Sequence, residues 1–219
     1  MNKFNLVKEL FENAQNPENA AAMSAYMKNK FDFYGIPSPE RKALYKDFIK
    51  SEKAAKEIDW ELLDKCYEDE HRELQYLAFD YLLAMKKYLN YEDIAKIKHY
   101  ITTRSWWDTT VFLCKVIGDI GLKDKRVRQL MLEWSEDENI WLKRTAILHQ
   151  ITYKDKTDSE LLKEIICSCI GSDKFFINKA IGWALREYSK TNPAWVKTFI
   201  EKYKDTLSSL SVKEASKYI

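Results

Sequence analysis

Glycine and proline are scarce in this chain, at five and four of 219 residues. So few chain-breakers leave little material for the many turns of a sandwich or barrel, and no stretch alternates polar and apolar residues with period two for long. A β architecture is thereby excluded as the main one. Cysteine is almost as rare. Cys66, Cys114, Cys167 and Cys169 lie inside apolar helical runs and none forms a C-x-x-C pair. On a helix, Cys167 and Cys169 point about 200° apart, so a metal site is not expected and the thiols read as buried and reduced. The three histidines, His71, His99 and His149, are scattered singly, and His149 reads as a partly buried helix residue rather than a base. A phosphate-binding glycine loop, a protease triad and a metal-ligand cluster are all missing. Neither an apolar run of membrane-spanning length nor a secretory core follows the N-terminal Met1-Asn2-Lys3-Phe4, so the expected location is the cytoplasm, away from any membrane. Charge of one sign is lacking too. Thirty-six Lys and Arg face 34 Asp and Glu, a surplus of +2, which permits nucleic-acid binding without demanding it.

What is present is helical. Hydrophobic residues make up 46% of the chain and aromatics 14%, enough for a core, and they recur with the period of an amphipathic helix. Phe4 to Asn13 reads as a first helix. Asn16-Pro17 then opens a second, expected to run to about Phe33, and Ser38 caps a third with Pro39 at its first position. Asp59 caps Trp60 to Tyr67, Glu70-His71-Arg72-Glu73 opens a long helix, and Asn90 starts another. Ser105 is expected to cap a double-tryptophan helix ending by Gly121. Further helices follow from Asp124, Glu138, Asp158, Ser172, Asn192 and Ser211.

Three of these segments echo one another. Trp106, Trp141 and Phe176 fall 35 residues apart, and the words around them match in pattern. Roughly thirteen helices in antiparallel pairs, repeating at that spacing, predict an all-α fold: an α-solenoid of HEAT-like helical repeats, curved with a concave groove, forming one domain over residues 1–219. Equivalent repeat positions would then project into one groove. In this register Arg144 coincides with Lys179, Trp183 with Leu148, and Trp107 with Leu142 and Ile177. Arg186 follows Trp183 at i+3 and shares its face. A surface bearing Trp107, Arg144, Lys179, Trp183 and Arg186 suits nucleic acid, because cations hold phosphates while aromatic faces stack on bases. Trp106 and Trp141 read as core.

The words Met23-Ser24-Ala25-Tyr26-Met27-Lys28-Asn29, Ser38-Pro39-Glu40-Arg41, Ser105-Trp106-Trp107-Asp108, Asn139-Ile140-Trp141-Leu142-Lys143-Arg144, Lys179-Ala180-Ile181-Gly182-Trp183 and Leu185-Arg186-Glu187-Tyr188 resemble the AlkD family of HEAT-like-repeat DNA glycosylases. The resemblance implies an all-helical protein that grips duplex DNA and excises cationic N3- and N7-alkylated purines without metal or organic cofactor. It also implies that Trp107 and Trp183 cage the base and that Arg144 contacts the backbone near the lesion. Tyr26 would lie on helices approaching the minor groove. Ser38 and Arg41, from one of the shared words, join the expected DNA-binding set. The implied partner is double-stranded DNA, and such a chain is expected to act as a monomer.

The departure lies at the chemical centre. The family pattern places its catalytic carboxylate four residues after the second tryptophan, and here that position is Val111. The stretch from Trp107 to Gly118 also runs one residue shorter than the family's. Valine can neither stabilise an oxocarbenium-like sugar nor position water. Asp108 is the candidate substitute, although Ser105-x-x-Asp108 also matches a capping box and reads as structural first. Base excision is therefore expected to be lost or strongly reduced. Acidic residues (Glu136, Asp137, Glu138, Asp155) interleave with the basic ones and point to weak DNA affinity. Two alternatives stand beside this reading. One is an active glycosylase helped by Asp108 or by the DNA phosphates. The other is a HEAT scaffold that holds branched DNA or a protein helix.

Overall fold

A computed structural model of the chain describes residues 2–219. Among the described residues there are fourteen α-helices and no strand, the one bridge being an isolated pairing of Asp32 with His71. The chain divides into two compact units, the first ending at Leu89 and the second running from Asn90 to Ile219.

The first unit contains α1 (Lys3–Asn13), α2 (Pro17–Tyr26), α3 (Ser38–Leu44), α4 (Lys46–Ala55), α5 (Trp60–Glu68) and α6 (Arg72–Met85). Two starts follow from their caps. Asn16 accepts from the Asn19 amide with Pro17 in the first helical position, and Asp59 accepts from the Leu62 amide at 3.0 Å. Helix α2 is shorter than the sequence suggests. It stops at Tyr26 instead of running to Phe33, because Lys28 and Asn29 take left-handed backbone angles (φ 61° and 54°) that no α-helix accommodates. The segment beyond Ser38 is two helices rather than one, broken at Tyr45. Nor does Ser38 cap α3. Pro37 holds the cap position without a side-chain bond, and the Ser38 hydroxyl lies 3.5 Å from Arg41 Nη2, from which it accepts.

A buried carboxylate organises this unit. Glu73 is fully buried at the start of α6, and it accepts three successive amides from the loop ahead of α3: Tyr34 at 3.1 Å, Gly35 at 2.9 Å and Ile36 at 3.2 Å. Gly35 adopts φ +84°, and a Cβ there would lie 2.1 Å from the Asn16 carbonyl oxygen, so only glycine lets the loop press against the start of α2. Charge-assisted bonds of this kind are the strong ones.

The second unit contains α7 (Ile94–Thr102), α8 (Trp107–Gly121), α9 (Arg126–Glu136), α10 (Ile140–Leu148), α11 (Ser159–Cys169), α12 (Phe175–Ser189), α13 (Pro193–Tyr203) and α14 (Ser209–Ala215). Helices α8, α10, α12 and α14 pack side by side in chain order, while α9 covers α8 and α10, and α11 packs on α9 and α10. This is the alternation of a HEAT-like helical repeat. Asp158 and Asn192 cap α11 and α13 through the Leu161 and Trp195 amides. Two glycines set the closest approaches within the row. A Cβ on Gly118 of α8 would lie 2.1 Å from the His149 carbonyl oxygen, and one on Gly182 of α12 would lie 2.5 Å from the Glu214 Cβ of α14. The Tyr153 hydroxyl donates to the Gly118 carbonyl at 2.6 Å and fixes the α8–α10 packing from its far end.

The four cysteines are free. Burial pushes the thiol pKa of Cys114 up to about 12, and those of Cys66 and Cys169 upward as well. No group of three or more His, Cys, Asp or Glu among the described residues is arranged to hold a metal ion. No helix among them is long and apolar enough to cross a membrane.

Candidate nucleic-acid interface

The double-tryptophan helix starts one residue later than its sequence suggests. Ser105 does not cap it; its hydroxyl donates back to the Ile101 carbonyl and closes the end of α7. Trp106 takes the cap position, and Thr109 Oγ1 receives the Trp106 amide at 3.3 Å. Arg104, at φ 48°, makes the bend between the two helices. The capping partner three residues on is thus Thr109 and not Asp108. Asp108 stands in the first turn of α8, where an acidic side chain is favoured by the helix dipole, and it is only 6% exposed. Trp107, the first residue of α8, is half-buried, and so is Val111 one turn later. The Val111 carbonyl accepts the Cys114 thiol at 3.2 Å.

The 35-residue register brings three rings together at the starts of α8, α10 and α12. Trp106 and Trp141 lie 6.0 Å apart, and each lies 5.3 Å from Phe176. Rings at these distances and tilts attract through their quadrupoles as well as through buried area. All three are half-buried rather than enclosed.

Arg144 sits one turn along α10 from Trp141, with its guanidinium 5.9 Å from the Phe176 ring centroid. It is 3% exposed, which surface chemistry would not suggest for an arginine. Nη1 donates to the Phe176 carbonyl at 2.7 Å, while Nε is buried without a partner. No carboxylate among the described residues pairs with it. Burial draws its pKa from 12.5 down to about 10, and the Cys114 thiol is the one group that pushes back. A buried cation with an orphaned donor is costly for a protein to maintain.

Lys179 and Arg186 are held differently. Both reach one carboxylate on α14: Lys179 Nζ lies 2.7 Å from Glu214 Oε1, and Arg186 Nη1 lies 2.7 Å from Oε2. Lys217 adds a third cation at 3.0 Å. Hydrogen bonds from Lys179 and Lys217 lower the Glu214 pKa to about 2. Trp183, half-buried, lies between Lys179 and Arg186 on α12.

In the first unit, Tyr26 ends α2 and is 69% exposed. Ser38 is exposed, whereas Arg41 is buried with its guanidinium 4.4 Å over the Tyr76 ring. Arg41 Nε donates to the Tyr45 hydroxyl at 3.3 Å, and that hydroxyl donates to Asp80 at 2.6 Å.

A family model described as DNA alkylation repair enzyme matches residues 7–219. The chain belongs to this DNA alkylation repair family. A structure from Enterococcus faecalis, described as a predicted DNA alkylation repair enzyme, is 38% identical; the match covers 94% of this chain and 96% of that one, with a TM-score of 0.83. AlkD2 from Streptococcus mutans superposes with a TM-score of 0.60 at 20% identity, over 80% of this chain and 90% of its own. The smu.31 protein of Streptococcus mutans UA159 gives 0.58 at 20% identity, over 82% and 97%. These two show the fold alone. No curated protein matches the chain.

Within this family frame, two residues of the second unit escaped the sequence reading. Glu214 lies 35 residues beyond Lys179, so the repeat register did hold a signal for it. Thr109 stands at the same repeat position ahead of Arg144. The series Thr109, Arg144, Lys179, Glu214 thus runs along α8, α10, α12 and α14, and the last helix carries an anion where the two before it carry cations.

Proposed function

We propose that this alkylation-repair family member binds alkylated duplex DNA through the tryptophan- and arginine-bearing face of its second unit, with base excision lost or strongly reduced. The observation that carries the proposal is Arg144. A protein that keeps a guanidinium buried beside the Phe176 ring, with Nε unused and no carboxylate paired to it among the described residues, retains an anion site at the expense of stability. A DNA phosphate is the anion that family membership points to. Trp107 and Trp183 would flank the damaged base, their faces attracting the positive charge of an alkylated purine.

The excision step depends on a carboxylate beside the sugar as the glycosidic bond lengthens and oxocarbenium character develops. Preorganised charge of this kind is worth about 3–4 kcal/mol of barrier, or two to three powers of ten in rate. Val111 supplies none. Asp108, three residues earlier, is buried in the first turn of α8, which argues against its serving as the substitute.

Two measurements test this. Fluorescence anisotropy with a duplex carrying 7-methylguanine should give binding that weakens steeply with salt, and the same duplex should release almost no free base. Binding insensitive to salt would remove the phosphate contacts. Release within about tenfold of an active relative would remove the loss of excision.

A further inference from the structure

Three cations converge on one carboxylate where α14 meets α12, and nothing in the excision chemistry uses that carboxylate. We propose that Lys179, Arg186 and Lys217 form an anion site of phosphate class, filled from within by Glu214, so that this carboxylate competes with nucleic-acid phosphates and holds down affinity. The proposal rests on the DNA-binding reading above and adds a residue that tunes it.

The geometry is specific. Both carboxylate oxygens are engaged, Oε1 by Lys179 at 2.7 Å and Lys217 at 3.0 Å, Oε2 by Arg186 at 2.7 Å and Lys217 at 3.1 Å. The position of the carboxylate follows from Gly182. With no Cβ at that site, α14 lies directly on α12, and Glu214 falls between Lys179, three residues before Gly182, and Arg186, four after it. Ser211 locks the approach by donating to the Asn178 carbonyl at 2.8 Å. Three positive groups around one negative group leave the cluster cationic, and Lys179 and Lys217 keep solvent-exposed side chains. Glu187 offsets little of this, because Lys190 holds it at 2.6 Å while Arg186 is 3.8 Å away. A DNA phosphodiester presents the same single charge and the same two unesterified oxygens as this carboxylate, so it can take these donors in the carboxylate's place.

The competitor is removed by Glu214→Gln and, independently, by Glu214→Met, which keeps the length and apolar packing over Gly182. Binding of an undamaged fluorescent duplex is then measured by anisotropy across a salt series, with circular dichroism confirming helical content. Each further phosphate neutralised by the protein steepens the log–log salt slope by about 0.9, which is five- to tenfold in affinity near 0.1 M salt. Both variants should show a rise of that size, and Lys179→Gln added to Glu214→Gln should abolish it. Natural chain that binds DNA while both folded variants bind with the same affinity and slope overturns the competitor and leaves the DNA reading standing. No binding by any of the proteins overturns both.

Discussion

Replacing Arg144 by methionine exchanges a buried cation for an apolar side chain of similar reach. Burial lowers the guanidinium pKa from 12.5 to about 10, and at about 1.4 kcal/mol per unit that places roughly 3 kcal/mol of cost on keeping the charge. The hydrogen bond to the Phe176 carbonyl returns about 1.5–3 kcal/mol as a charged-donor bond. The two nearly cancel, and the orphaned Nε adds further cost on the arginine side. Arg144→Met is therefore expected to leave stability unchanged or raise it by up to about 2 kcal/mol, as removal of a buried uncompensated charge does elsewhere. DNA affinity should fall in the same variant. Urea denaturation followed by circular dichroism, beside anisotropy with duplex DNA, reads both quantities. A variant destabilised by more than about 2 kcal/mol with unaltered DNA affinity would refute the reasoning, because Arg144 would then be a structural residue.

Glu73→Gln sets an amide NH2 against one of three backbone N–H groups and weakens the other two bonds; the expected loss is about 3–5 kcal/mol, read as a lower urea midpoint at unchanged m-value. His149 accounts for part of the acid sensitivity. Burial lowers its pKa to about 4, against 6.5 when unfolded, so its contribution is fully present above pH 6.5 and falls away toward pH 4, by up to about 3 kcal/mol. His149→Gln should lose less stability than the natural chain between pH 7 and 4.5, and an equal loss in both would contradict the burial argument.

The row α8, α10, α12 was legible because its spacing is a property of the chain. A ring every 35 residues at Trp106, Trp141 and Phe176 can meet only if successive helix pairs stack in register, and the three rings do meet. Local chemistry was also readable where one side chain decides the outcome, as at Asn16-Pro17, Asp59 and Asn192. It misled where a serine had a competing partner. Ser105 turns back to the Ile101 carbonyl, and Ser38, already the first residue of α3, accepts from Arg41, so neither caps its helix. The end of α2 was invisible because lysine rarely takes a left-handed angle, and here Lys28 does so directly ahead of the more tolerant Asn29. Composition could not report how each cation would be held. Arg144 and Lys179 share one repeat position, yet one is buried beside the Phe176 ring and the other lies against Glu214. The neighbouring helix makes that difference, and the register alone does not.

The central claim is that the DNA-gripping face survives while the group that broke the glycosidic bond is missing. Excision of 7-methylguanine from duplex DNA by the natural chain, measured beside Val111→Asp under single-turnover conditions, tests it most directly. Base release near background by the natural chain, rising by about a hundredfold or more in the aspartate variant, is the expected result. Efficient release by the natural chain, with no further gain from the aspartate, would contradict the account.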